Sequence, residues 1–141
     1  EHVALMRQIC HTAMSESPFL SGQDIFLRNS DAGAAYHVKE GDRLVYDYSD
    51  SFSSMRTTSS RKARAQGFRT HLRGDSWLAE MALWCEWKHR GALSARTSTS
   101  VTKLDCGELF SIAAHADSMI IKGVRIFAIF LVDHVVRLED E

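Results

Sequence analysis

The chain has 141 residues and is 45% hydrophobic, which is enough apolar material for one domain with a core of its own. Seventeen Lys and Arg against 18 Asp and Glu leave a formal charge of −1, so the field that draws a basic domain to nucleic acid is absent and no nucleic-acid partner is expected. Cys10, Cys85 and Cys106 are odd in number and widely spaced, which fits neither a disulfide framework nor a CxxC zinc site and points to a reducing, cytoplasmic setting.

The charge is unevenly spread. Residues 1–55 hold eight acids and four bases, whereas Arg56, Arg61, Lys62, Arg64, Arg69 and Arg73 form a basic stripe with no acid among them. At the start, HVALMRQICHTAMSE sets Val3, Met6, Cys10, Ala13 and Met14 at spacings of three and four, with Leu5 and Ile9 beside them. This predicts an amphipathic helix over residues 1–17, ended by Pro18. From Phe19 the texture changes to short apolar pieces, SPFLSGQDIF, AAYHV and RLVYDY, each bounded by Gly, Asp, Asn or Ser, which read as three strands of a small barrel or sandwich.

Residues 49–66 are rich in Ser, Thr and Arg and hold little that could fill a core, so they are expected to form a flexible basic loop. FRTHL and ALSARTSTSVTKLD supply the remaining strand patterns. Between them lies GDSWLAEMALWCEWKHRGALSART, where one acid, Glu80, sits among apolar residues and His89 and Arg90 follow, with Trp77, Trp84 and Trp87 close by. CGELFSIAAHA is a short helix, and SMIIKGVRIFAIFLVDHVVRLED a long one with apolar residues nearly all round its middle, which predicts burial on more than one side. The fold class is therefore α+β: short strands over 18–105 between an N-terminal helix and two C-terminal helices over 106–141, in a single domain.

No signal segment opens the chain, and its longest apolar run, Ile120 to Val132, is interrupted by Lys122 and Arg125 and is too short and too charged to cross a bilayer. The chain opens on Glu1 and not on Met, so it is expected to be part of a longer protein, with any membrane tether outside these residues. GxSxG, HExxH, P-loop and GxGxxG motifs are absent, and the seven histidines are scattered without ligand spacing. Cys10 with His11, or Cys85 with His89, has no third group to orient it as a nucleophile–base pair, so neither catalysis nor a metal is expected.

The order of elements and the residues within them resemble the cyclic nucleotide-binding domain found in cAMP receptor proteins, kinase regulatory subunits and cyclic nucleotide-regulated channels. PFLSGQDIFLRNSDAGAAYHVKEGDRLVYD is similar to the family's opening, with Gly22, Ser30-Asp31, Tyr36 to Val38 and Gly41 in the places of its successive turns and strand. Leu78-Ala79-Glu80-Met81-Ala82-Leu83 followed by His89-Arg90-Gly91-Ala92 falls on the phosphate-binding cassette, usually Phe-Gly-Glu, a short apolar helix and Arg-x-Ala-Thr. The helical start and the tryptophan-rich cassette are most similar to those of voltage-gated, cyclic nucleotide-regulated channel subunits.

The resemblance implies an antiparallel β-roll of about eight short strands over 18–105 with a short helix within it, and a regulatory domain with cAMP or cGMP as ligand, no other cofactor, and partners among the other domains or subunits of the same protein, on the cytosolic side of a membrane. Glu80 would accept from the ribose 2′-hydroxyl, and the amides of Met81, Ala82 and Leu83 would face the cyclic phosphate. The departures fall on the phosphate side: Ala79 stands for Gly, His89 for Arg and Ala92 for Thr. The site thereby loses a fork-shaped cation and a hydroxyl, while Arg90 is one residue out of register for a strand face. Two other readings follow from the same residues: a degenerate roll that serves as a structural or assembly module, and a domain whose basic residues 56–73 dock on anionic lipid or an acidic partner.

Overall fold

The structure, a computed structural model, describes residues 2–39, 44–48, 68–72, 75–116 and 118–139. The loop expected over 49–66, the Gly41 turn and most of the basic stripe lie outside these residues.

Helix α1 (His2–Gln8) continues as a π-helical turn, Ile9–Ala13, and at Met14 the backbone becomes extended. The helix therefore ends before Pro18. That proline lies within strand β1 (Met14–Phe19), which pairs with β8 (Thr99–Asp105) at one edge of a sheet, where a missing N–H disrupts no ladder. The expected apolar stripe is also narrower than the spacing suggests. Ala13 is buried and Leu5 and Ile9 half-buried, one helical turn apart, whereas Val3, Met6 and Cys10 are exposed.

SPFLSGQDIF is two strands, not one. Between β1 and β2 (Asp24–Phe26) the chain turns at Gly22, whose φ of +84° is open to glycine at no steric cost. The turn is held by Gly22 N–H donating to the Ala95 carbonyl at 2.7 Å and by Ser21 Oγ donating to the Arg96 carbonyl at 2.7 Å. This lets consecutive strands join different sheets. One sheet has the order β1-β8-β3-β6, with β3 Ala34–Val38 and β6 Ser76–Leu78, and the other β2-β7-β4-β5, with β7 Ala92–Ala95, β4 Leu44–Tyr48 and β5 Phe68–His71. All described strand pairs are antiparallel.

The two sheets close on Phe26, Val38, Leu44, Leu93, Ala95 and Val101, with Tyr36, Tyr46 and Leu78 packed against them. Period-two alternation accounts for this choice: Leu44 and Tyr46 face Ala95 and Leu93 across the β4–β7 ladder, while Val45 and Asp47 pair with Ser94 and Ala92 on the other face. Burying each large apolar side chain contributes roughly 1.5–3 kcal/mol.

Helix α2 (Cys106–Ala114) starts where Asp105 accepts from the Glu108 N–H at 3.1 Å, an N-cap that also turns the chain out of β8. Helix α3 (Ser118–Glu139) departs most from expectation. No described residue of it is buried, and Ile129 and Phe130 are 68% and 70% exposed, so its broad apolar surface is not covered by the described residues. Among the described residues no helix is long and apolar enough to cross a membrane.

Candidate functional site

The cassette segment begins as a strand and becomes a single tight turn. Leu78 ends β6, Ala79 takes a left-handed conformation at φ 58°, and Glu80–Leu83 form one 3-10 turn closed at Trp84. An alanine holds that conformation at a cost of roughly 1–2 kcal/mol, which a glycine would not carry. The helix expected over 78–84 is thus four residues long.

Its hydrogen bonds are largely internal. The Ala82 N–H donates to the Ala79 carbonyl, and those of Trp84 and Cys85 both donate to Met81, each at 3.0 Å. Ala82 is buried, and the turn packs on β3. The amide of Ala82 is therefore already used, which corrects the expectation that three consecutive amides are presented to an anion. Glu80 is exposed, and no hydrogen bond or ion pair joins it to another described residue. Two bases that follow it in sequence lie elsewhere: Lys88 pairs with Asp31 at 2.8 Å, and the Arg90 guanidinium lies 5.0 Å from the centre of the Trp87 ring.

The phosphate side is built differently. The backbone of residues 87–89 runs alongside 29–32, with Asn29 N–H donating to His89 O (2.8 Å), His89 N–H to Ser30 O (3.0 Å) and Ala32 N–H to Trp87 O (2.9 Å). In this extended stretch side chains alternate, so Lys88 and Arg90 are exposed and His89 turns inward. His89 is 4% exposed and its imidazole stacks on the Phe26 ring, 3.8 Å between centroids and 7° from parallel. Burial holds its pKa below the ordinary value, so the ring is neutral near pH 7. The residue in the place of the resembled family's arginine is thus buried against the core.

Gly91 and Ala92 complete this half. A Cβ at Gly91 would lie 2.6 Å from the Asp47 carbonyl oxygen and 2.6 Å from Tyr46 Cζ, so only glycine fits. A backbone hydrogen bond from Gly91 reaches the Tyr46 hydroxyl, whose pKa is raised chiefly by its burial. Ala92, half-buried, opens β7. No hydrogen bond or ion pair joins Glu80 to His89 or Arg90; the turn sits on β3, and His89 and Gly91 sit on Phe26 and Tyr46.

Phe26 and Tyr46 are the site residues that sequence reasoning missed. The signal available was the alternation of AAYHV and RLVYDY, which assigns inward faces without saying which aromatic meets the cassette. The tryptophans are packing residues: Trp84 meets Phe127 of α3 edge-on at 5.1 Å, Trp77 meets His37 at 5.1 Å, and Trp87 carries Arg90. Cys85 donates its thiol to the Met81 carbonyl at 3.5 Å, and burial raises its pKa, so it is no thiolate nucleophile. Among the described residues no group of three His, Cys, Asp or Glu could hold a metal.

No protein-family model and no curated protein matches the sequence. Solved structures do match. An N-terminal domain of a transcriptional regulator from Streptomyces coelicolor A3(2) superposes with a TM-score of 0.61 at 17% identity, covering 97% of this chain and 84% of that one. A cyclic nucleotide-binding-like protein from Brucella abortus gives 0.57 at 16% identity over 79% of this chain and 84% of its own. A mutant of a cAMP-binding acyltransferase from Mycobacterium smegmatis gives 0.55 at 13% identity over 87% of this chain but only 34% of the acyltransferase. The fold is thus the α+β roll of cyclic nucleotide-binding-like domains, a fold carried by regulators and by parts of enzymes alike.

Proposed function

We propose that the chain is a regulatory roll of a larger protein that keeps the carboxylate half of a cyclic-nucleotide site and has closed the phosphate half with its own core. The observation that carries this is His89: where the resembled family places a cation toward the phosphate, this chain places a neutral ring stacked on Phe26. Tyr46 takes up the neighbouring Gly91 backbone group. A cyclic phosphate seated there would displace an aromatic core contact and meet no guanidinium, which forfeits the charge-assisted, two-point contact such a ligand needs. Leu78, Ala79, Met81, Ala82, Leu83, Gly91 and Ala92 then serve the fold before they serve cAMP or cGMP, while Glu80 and Arg90 remain exposed to solvent.

The partners on this reading are other domains or subunits of the same protein, in the cytoplasm. The channel-subunit setting rests on the resemblance of residues 2–20 and of the cassette, while the solved rolls described above include a transcriptional regulator and an acyltransferase. Catalysis is not part of the proposal.

The test is a thermal melt of the wild-type chain with 1 mM cAMP or cGMP. A dissociation constant at or above 1 mM adds at most about 0.4 kcal/mol and moves the midpoint by roughly 1–2 °C, whereas a constant of 10 μM adds about 2.7 kcal/mol and moves it by several degrees. The larger shift with either nucleotide would overturn the closed-site reading and restore the ligand-gated one.

A further inference from the structure

A cavity of about 420 Å³ lies away from the roll interior, walled by Leu5 of α1, Ile9 of the π turn, Trp84 at the end of the 3-10 turn, Ile112 of α2, and Ile121 and Arg125 of α3. Its size is that of a small-molecule site. The lining is aliphatic and aromatic, and Arg125 is the one charged side chain among the lining residues. Arg125 is exposed, and no ion pair joins it to another described residue. Such walls exclude a sugar or a phosphodiester, whose polar groups would enter without partners. They suit an unbranched hydrocarbon, and the guanidinium at the α3 wall complements a single carboxylate.

We infer that this cavity binds the acyl chain of a long-chain carboxylic acid, with its carboxylate on Arg125. The inference is independent of what occupies the roll. Its consequence is mechanical: the ligand would touch the N-terminal helical segment, the cassette turn, α2 and α3 at once, and so fix the position of α3, which has no buried residue of its own among those described.

Calorimetric titration with dodecanoate below its micellar range tests it. Saturable one-site binding is expected, weakened at least about thirtyfold with octanoate because four methylenes are lost. Arg125→Gln should weaken dodecanoate about tenfold and leave its methyl ester unchanged. Ala128→Phe, which fills the cavity from α3, should abolish binding of both while the circular dichroism spectrum is kept; if that variant does not fold, Ala113→Phe fills it from α2. No saturable heat up to 1 mM, equal affinity of the wild type and Arg125→Gln for the acid, or undiminished binding by the filled variant would each overturn the inference. So would a concentration-dependent dimer that protects Trp84 and is indifferent to dodecanoate, which would assign the cavity to a second copy of the chain.

Discussion

Replacing His89 by arginine restores the residue type of the resembled family and, on this structure, should damage the fold. The imidazole is 4% exposed and stacked on Phe26, between backbone hydrogen bonds that fix residues 29, 30 and 89 against one another. A guanidinium built there would replace the stack on the Phe26 ring with a charge in a buried position. An unpaired buried charge costs roughly 3–5 kcal/mol, and partial escape toward solvent brings the expectation to about 3 kcal/mol. With an m-value near 2 kcal/mol/M, typical of urea unfolding, the midpoint should fall by roughly 1.5 M. His89→Phe is the control, since it keeps a flat apolar ring in the stack and should stay within about 1 kcal/mol at pH 7.5.

The pH dependence sharpens the test. Burial lowers the folded-state pKa of His89 below its ordinary 6.5, so on acidification the unfolded chain takes up the proton first. The stability tied to this group is complete above about pH 6.5 and is lost as the pH falls from there toward the folded value. His89→Phe should remove that part of the acid loss. If His89→Arg unfolds within about 0.5 kcal/mol of the wild type at pH 7.5, or if wild type and His89→Phe lose stability in parallel between pH 7 and 5, the imidazole is not where the structure places it.

Gly91→Ala should cost about 2–3 kcal/mol by chemical denaturation, because the new methyl meets the Asp47 carbonyl oxygen at 2.6 Å, a backbone atom that cannot swing aside; a loss below about 0.5 kcal/mol would show that β4 and residue 91 are further apart. Asp105→Ala should cost about 1 kcal/mol by removing the α2 cap, and Asp105→Asn should recover most of it; equal melts for all three proteins would mean that the cap contributes nothing. The Asp105 carboxyl is held below its ordinary pKa, first by the Glu108 amide, so its contribution is present above about pH 4 and is lost as the pH falls below that.

The roll itself was legible because its evidence is local. AAYHV, RLVYDY and the two strands of ALSARTSTSVTKLD alternate, and each stops at a turn residue, so their existence follows from pattern, whereas their pairing across two sheets does not. Two things were not local. The start of β1, Met14 to Ser17, reads as the end of a helix because Met14 sits at helical spacing from Cys10, and only the β8 ladder, distant in sequence, draws it into a strand. His89 likewise gives no sign of burial in sequence, where it follows WCEWK; its burial is decided by backbone pairing with Asn29 and Ser30, which places the inward position of the alternation on the histidine and not on Arg90. The substitutions for Gly, Arg and Thr were visible in sequence. What filled the space they left, Tyr46 and Phe26, needed the third dimension.

If the phosphate side is closed as proposed, the magnitudes restrict how such a roll could regulate. The direct ring contact between the cassette and α3 is the edge-on pair Trp84–Phe127, 5.1 Å between centroids. Such a pair contributes about 0.5–1.5 kcal/mol, which biases a two-position helix by roughly two- to twelvefold. Moving α3 from 1:99 to 99:1 takes about 5.5 kcal/mol of differential binding, several times more than that contact can supply. The remainder must come from apolar surface that one position of α3 buries and the other leaves in water. Ile126, Ile129 and Phe130, all more than half exposed, supply such surface at roughly 1.5–3 kcal/mol for each side chain fully covered. Covering two or three of them in one position only closes the gap. On the proposed regulatory reading, what sets α3 would be whatever covers that helix, with the cassette turn, through Trp84, acting as a trimming contact.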